Sequence, residues 1–185
     1  MRMSQEEKEK SHGRIVTSAS RLLRERGLAG ASVEDVMKDA GMSHGGFYKH
    51  FDSKEALVEA AMAAAFAEIT NALERGDPQR AVAAYRARYL SDGHKSNPGM
   101  GCPVAAIGQE IGRAPNGLKA TFSAGVRRTV AALARTMKGS THVKEAAAFR
   151  ELSMLVGAIV IARASDPKTA RDVLAACKAI SDSQR

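Results

Sequence analysis

Residues 43–51 read SHGGFYKHF. As a helix this stretch is poor, because an interior glycine costs about 1 kcal/mol relative to alanine and two stand side by side at 45 and 46. Its second half nonetheless has helical order. Phe47 and Phe51 stand at i and i+4 on one face, which leaves Tyr48, Lys49 and His50 on another. Upstream, Ser32-Val-Glu-Asp35 matches a capping box with aspartate at the third helical position. It opens a short helix whose Val33, Val36, Met37 and Ala40 face inward, and Gly41 stops it. Ser43 is a good N-cap for the quoted segment. Residues 32–51 therefore read helix, tight glycine turn, helix, which is the spacing of a helix-turn-helix.

The pattern extends both ways. Before it, Ile15, Ala19, Leu22 and Leu23 make one helical stripe over His12–Arg26, with Arg14, Arg21, Arg24 and Arg26 largely off it. Gly27 is placed to end that helix in a left-handed turn, and the charged residues 1–10 are expected to fray. After it, Asp52 and Ser53 can cap a long alanine-rich helix from Lys54 to Arg75, with Leu57, Ala61, Ala65, Ile69 and Leu73 along one side. Gly76-Asp-Pro78 breaks the chain. Helices follow over 79–90, 102–113, 115–138, 143–164 and 167–181, and 91–101 has loop composition. The helix over 143–164 is apolar nearly all round, so it is expected to be buried on most faces. With the stripe Val173, Leu174 and Cys177 of the last helix it exposes more apolar surface than one chain can cover. A homodimer interface through Leu152, Val156, Ile159, Val173 and Cys177 is the expected cover.

Composition agrees. The chain has 185 residues and 44% hydrophobic content, with few aromatics and five prolines. No segment alternates β-branched residues, so the expected class is all-α, with about nine helices: a three-helix helix-turn-helix unit over 1–52, then a helical regulatory bundle over 53–185. The net charge of +8 invites a nucleic-acid reading. Its distribution does not carry one. Through Glu55 there are ten Lys/Arg against nine Asp/Glu, and the remaining eighteen against eleven hold nearly all the excess. The DNA argument rests on local geometry instead. The two cysteines, Cys102 and Cys177, make neither a metal site nor a disulfide framework. No cofactor loop of the G-x-G-x-x-G type occurs. The expectation is therefore no metal and no cofactor. The N-terminus does not read as a signal peptide, and the apolar run at 154–162 is too short to span a bilayer. A cytoplasmic setting without membrane attachment is the default.

Taken as a recognition helix, 43–51 would put its N-terminal residues in the major groove. Glycines at 45 and 46 would let backbone approach the bases, and amides at a helix start favour phosphate. Tyr48, Lys49 and His50 offer a hydroxyl, a cation and an imidazole to phosphates and base edges. The competing reading makes the glycines a plain loop and Tyr48-Lys49-His50 a solvated face.

Gly41, Ser43, Gly45, Tyr48, Phe51, Ser53, Lys54, Glu55 and Leu57 together resemble the DNA-binding domain of the TetR family of bacterial transcriptional regulators. That family's pattern is a capped helix, a glycine turn, S-x-G-x-x-Y-x-x-F and S-K-E-x-L. The order of long and short helices beyond it is similar to the family's ligand-binding and dimerisation domain. Gly46 stands where the family often has a base-contacting residue, and His44 where lysine or a small residue is common. The resemblance implies a homodimer on double-stranded, pseudo-palindromic operator DNA, with recognition helices about 34–36 Å apart or a multiple of one turn. It implies phosphate contacts from Ser32, Ser43, Tyr48, His50 and Lys54, and places His44, Gly45, Gly46 and Lys49 nearest the bases. It further implies release of DNA when a small-molecule effector shifts the helix that begins at Lys54.

For that effector, Met62, Phe66, Ile69, Tyr85, Tyr89, Ile107, Phe122 and Val126 are candidate walls, with plain core packing as the alternative. Tyr85 and Tyr89 stand out because they bring hydroxyls. Cys102 precedes Pro103 at a helix start, where the dipole would lower its pKa and make it a thiol-reactive sensor. The plain alternative is a small buried cap residue. Cys177 reads as packing. The leading function is a one-component transcriptional repressor, not an enzyme. The other readings are a thiol-dependent redox protein using Cys102, and a non-specific architectural DNA binder.

Overall fold

Side-chain caps decide where the helices begin. Ser4 accepts the Glu7 amide while the Glu7 carboxylate accepts the Ser4 amide, and Ser32 with Asp35 repeats the box. Ser53, Asp77 and Ser91 accept the amides of Ala56, Arg80 and His94. The computed structural model describes residues 4–183, with side chains through Ile180. Among these residues there are nine α-helices, two short 3₁₀ helices and no strand. The α-helices are α1 (Gln5–Gly30), α2 (Val33–Asp39), α3 (Lys54–Glu74), α4 (Pro78–Tyr89), α5 (Asp92–Ser96), α6 (Pro103–Ile111), α7 (Asn116–Ala134), α8 (Thr141–Ala164) and α9 (Pro167–Ser183). The 3₁₀ helices are His44–Lys49 and Pro98–Met100.

The all-α class is as expected, but the membership of the set differs. The segment at 44–49 winds as 3₁₀ rather than α. The stretch 91–101 is not a plain loop: Ser91 caps α5 and a 3₁₀ turn follows. Residues 4–10 do not fray, because the Ser4 box pins the start of α1; residues 1–3 lie outside the described residues. Gly27 does not end the helix in a left-handed turn: it has φ 77° with an extended ψ of 179° and kinks α1, which resumes to Gly30.

Two apolar clusters organise the bundle. In the first, Ile15, Leu22, Val36, Met37, Phe47 and Phe51 are joined by Leu57, Val58 and Met62 of α3 and by Ile107 and Ile111 of α6. In the second, Ile69 and Leu73 of α3 pack with Val82, Tyr85 and Tyr89 of α4, Val130 and Leu133 of α7, and Leu155 and Ile159 of α8. The helix α3 therefore runs from the helix-turn-helix unit into the second cluster. Among the described residues α3 is also the helix long and apolar enough to cross a membrane, rather than the 154–162 run, but half of that stretch is buried inside the protein. Gly125 of α7 lets α3 and α7 approach closely: a Cβ there would overlap the Phe66 ring.

Candidate nucleic-acid interface and effector cavity

Phe47 and Phe51 are buried, their rings stacked with centroids 5.8 Å apart. That anchoring turns the other side of the segment to solvent: Tyr48 is 74% exposed, and Ser43, His44, Gly45 and Lys49 are exposed beside it. The glycines have no reason inside the chain. Neither has a positive φ; a Cβ at Gly45 would meet nothing within 4 Å, and one at Gly46 would make an ordinary 3.5 Å contact with Met37. The fold would tolerate a side chain at both positions, so the glycines are not required by packing or backbone conformation. Ser43 has the extended backbone of an N-cap, but its hydroxyl makes no cap hydrogen bond and is left for another partner.

Three of the expected phosphate groups are partly committed elsewhere. The Ser32 hydroxyl is held by the Asp35 box. The Lys54 ammonium donates to the Leu28 carbonyl at 3.0 Å, which uses one of its three protons. His50 is the larger departure. Its ring lies 6.1 Å from that of His12, and both ring nitrogens are enclosed without partners. Burial lowers its pKa, and nearby His12, Lys8 and Lys49 add to the effect, so the ring is neutral and turned inward rather than toward phosphate.

The expected effector walls separate into two places. Met62 and Ile107 line a closed seam beside Leu23 and Pro103, and Phe66 packs edge-on to Phe122 with centroids 5.7 Å apart. Tyr85, Tyr89 and Cys102 line a cavity of about 60 Å³ together with Ile69, Arg24 and His94. Sequence reasoning missed Arg24 and His94. Arg24 is buried off the α1 stripe, donating to the Ser20 carbonyl and hydroxyl, to Glu68 at 3.1 Å and to the Gly101 carbonyl at 3.0 Å. His94 lies in the stretch read as loop, where the Ser91 cap was the local signal. Its Nδ1 meets the Tyr89 carbonyl at 2.7 Å and its Nε2 accepts the Cys102 amide at 3.0 Å. Burial lowers its pKa, so it is the neutral Nδ1-protonated tautomer with both nitrogens used.

The Cys102 thiol follows the plain reading of a buried residue and not the sensor reading. It is buried at the α6 start, and burial pushes its pKa up; the Tyr89 hydroxyl and the amides of Ala105 and Val104 only partly offset that. The helix-start effect exists and loses to desolvation. Iodoacetamide at neutral pH is expected to leave Cys102 unmodified in the folded protein and to label it in guanidinium, as read by peptide mass spectrometry. Prompt labelling of the folded protein would restore the sensor reading.

The apolar surface on α8 also needs correction. Ile159 and Leu152 are 0% and 4% exposed within the single chain, so they have almost no surface to give a partner. Phe149 and Val160 are 37% and 43% exposed, and half-buried Val156 lies between them on the same helical stripe. On α9, Val173 and Cys177 are also half-buried.

Besides the bonds to Glu68 and Lys54 of α3, two links tie α1 to the segments around α6. One is the Arg24 bond to Gly101. The other is Glu110 of α6, whose carboxylate accepts the Leu28 amide at 2.8 Å and occupies the space a Cβ at Gly27 would need.

The sequence pattern of bacterial regulatory proteins of the tetR family matches residues 15–61. The HTH-type transcriptional regulator EthR of Mycolicibacterium smegmatis is 40% identical over 74 residues, 37% of this chain and 34% of that protein. An uncharacterized HTH-type transcriptional regulator of Mycobacterium tuberculosis is 33% identical over 107 residues, 54% of this chain and 52% of that one. The chain thus spans about half or less of the length of the curated relatives it matches. The reduced form of NemR from E. coli superposes with a TM-score of 0.72 over 91% of this chain and 95% of that one, at 22% identity. A TetR-family regulator from Cytophaga hutchinsonii gives 0.73 over 96% and 94%, at 19% identity. At such identities the likeness speaks for the fold.

Proposed function

We propose, from the premise that this chain belongs through its helix-turn-helix domain to the TetR family of bacterial regulatory proteins, that it is a one-component transcriptional repressor. In this reading residues 1–52 read operator DNA and 53–185 bind a small-molecule effector and a second copy of the chain. The observation that carries the DNA part is the 3₁₀ segment. It is anchored by two buried phenylalanines, and it exposes Ser43, Tyr48 and Lys49 beside two glycines that nothing in the fold requires. Backbone at 45 and 46 can then approach base edges, with Lys49 in reach of bases and Tyr48, Ser43 and Lys54 on phosphates. Each protomer contributes one such segment to a half-site of a pseudo-palindrome.

Effector release follows from the same connections. A ligand in the Tyr85–Tyr89 cavity lies against Gly101, whose carbonyl holds Arg24 of α1. If it binds better when that bond is altered, it shifts α1 and the DNA-reading segment away from the operator-bound arrangement. The structure favours a non-covalent effector over a thiol-reactive one, because Cys102 is buried with a raised pKa. The same burial counts against a thiol-dependent enzyme, and the relatives are transcriptional regulators.

The test is fluorescence anisotropy on DNA from the promoter of its own gene, over a salt series. Lys49→Ala is expected to cost about 1–3 kcal/mol and to change which operator variants are preferred, whereas Tyr48→Phe weakens all sequences alike. An unchanged preference removes Lys49 from base readout. Sequence-independent binding that collapses with salt would favour the architectural reading.

A further inference from the structure

The cavity beside Gly101 holds hydrogen-bonding capacity and positive charge that the chain itself does not use. Tyr85 and Tyr89 are 4% and 3% exposed, and both hydroxyls are buried without a hydrogen-bond partner. The Tyr89 hydroxyl has only the Cys102 thiol, a weak group, beside it. Native interiors leave few polar atoms in this state. Two neighbours on one cavity wall, with ring centroids 5.4 Å apart, need an oxygen brought from outside.

The charges set its sign. Arg24 and Glu68 neutralise one another across 3.1 Å, and Glu151, the acid nearest Tyr85 in the field, is paired with Arg86. Two cations are left over. Arg88 lines the cavity and has no carboxylate partner among the described residues. Arg163 stands half-buried behind the Gly101 wall, and among the described residues its guanidinium donates to the carbonyls of His94 at 2.8 Å and Lys95 at 3.2 Å. Burial raises the pKa of both tyrosines, while Arg88 pulls Tyr85 down and Arg163 pulls Tyr89 down. His94 adds no free donor, since both its nitrogens are used.

We propose that this cavity binds a small monocarboxylate, whose oxygens accept from the Tyr85 and Tyr89 hydroxyls and whose charge is matched by Arg88 and Arg163. Ile69 lines the same cavity and receives the hydrocarbon end. By the same measure a water needs ~10–15 Å³, so the volume suits about four to six heavy atoms, the range of acetate to butyrate. This deepens the effector reading and rests on it only for the consequence at DNA.

Calorimetry on the full chain with sodium acetate, propionate and butyrate, against propionamide at matched chloride, tests the site. Propionate is expected to bind saturably and about 10-fold or more tighter than its amide, which lacks the charge. The chain has three tyrosines and no tryptophan, so in a Tyr48→Phe background the tyrosine band of the near-ultraviolet signal reports the two cavity rings alone. It should shift with propionate. Tyr85→Phe and Arg88→Gln should each weaken propionate by about 10-fold while leaving helix content intact. If Tyr85→Phe fails to fold, Arg88→Gln, an exposed position, carries the test. Equal binding of acid and amide, or no saturable binding, overturns the proposal. An operator arm is read separately. Propionate that binds without releasing DNA supports the site and counts against the effector reading. Release by another compound, with no carboxylate binding, overturns the carboxylate site alone.

Discussion

Val160→Asp is expected to give a folded monomer that has lost tight operator binding. Val160 is 43% exposed in the single chain and sits on the α8 stripe with Phe149 and Val156, so a charge there removes no intrachain contact of weight. Exposed apolar residues aligned on one helix face, with the half-buried Val173 and Cys177 of α9, form the surface that a second copy would cover in the proposed dimer. Aspartate would be buried unpaired in that interface at a cost few dimers survive. Two half-sites bound by one linked dimer gain about 10²–10⁴-fold over a single one, and that is the loss expected in operator affinity. Sedimentation should report a monomer while far-ultraviolet circular dichroism keeps its helical signal. The choice of residue matters. A charge at Ile159, which is 0% exposed within one chain, would unfold the protomer and so say nothing about dimers. An intact dimer of Val160→Asp with unchanged affinity would move the interface off this face.

The contrast between Val160 and Ile159 shows where sequence information runs out. A helix apolar on nearly all faces carries little phase, so the stripe that meets the core cannot be told from the stripe that meets a partner. Features that depend on three or four neighbouring residues were legible: the Ser32–Asp35 box, the break in α1 at Gly27, and the Phe47–Phe51 anchor. The Ser91 cap was equally local and went unread because glycine and proline dominate the segment around it. Features that join distant segments were not legible. Arg24 meets Gly101 across 77 residues and Glu110 meets Leu28 across 82. Periodicity says which way a side chain points, not what folds back against it. Cys102 is the sharpest instance. Its place at a helix start was visible and implies a lowered pKa, but the burial that reverses the sign comes from the core cluster that closes over it. The third helix of the reading motif is the converse case. Its spacing was correct, yet Ser43 makes no side-chain cap hydrogen bond, and the two glycines favour a weaker 3₁₀ winding over the α-helix.

Arg86→Ala should be the most damaging single change to stability. Arg86 of α4 grips Glu151 of α8 bidentately: one nitrogen lies 2.7 Å from Glu151 Oε2, and Nε donates to Oε1. The two side chains are 14% and 4% exposed, so the pair is largely cut off from water. Truncating the arginine leaves a buried carboxylate without its counter-charge, a loss of about 3–5 kcal/mol. For a chain of this size that corresponds to roughly 6–20 °C in melting temperature. Replacing both residues by methionine removes the stranded charge along with the pair and should recover most of the loss, since a buried ion pair adds little over well-packed apolar groups. The comparison separates the cost of stranding Glu151 from the net worth of the pair. A loss below about 1 kcal/mol in Arg86→Ala would mean that water reaches Glu151 and that the pair behaves as a surface one. The result bears on function because Arg86 lies between Tyr85 and Tyr89 on α4. The grip on Glu151 sets how α4 seats against α8, and so how both cavity hydroxyls are held. Arg86→Ala should therefore weaken ligand binding even below its melting temperature. The double methionine variant, with α4 packed back onto α8, should restore it in step with stability.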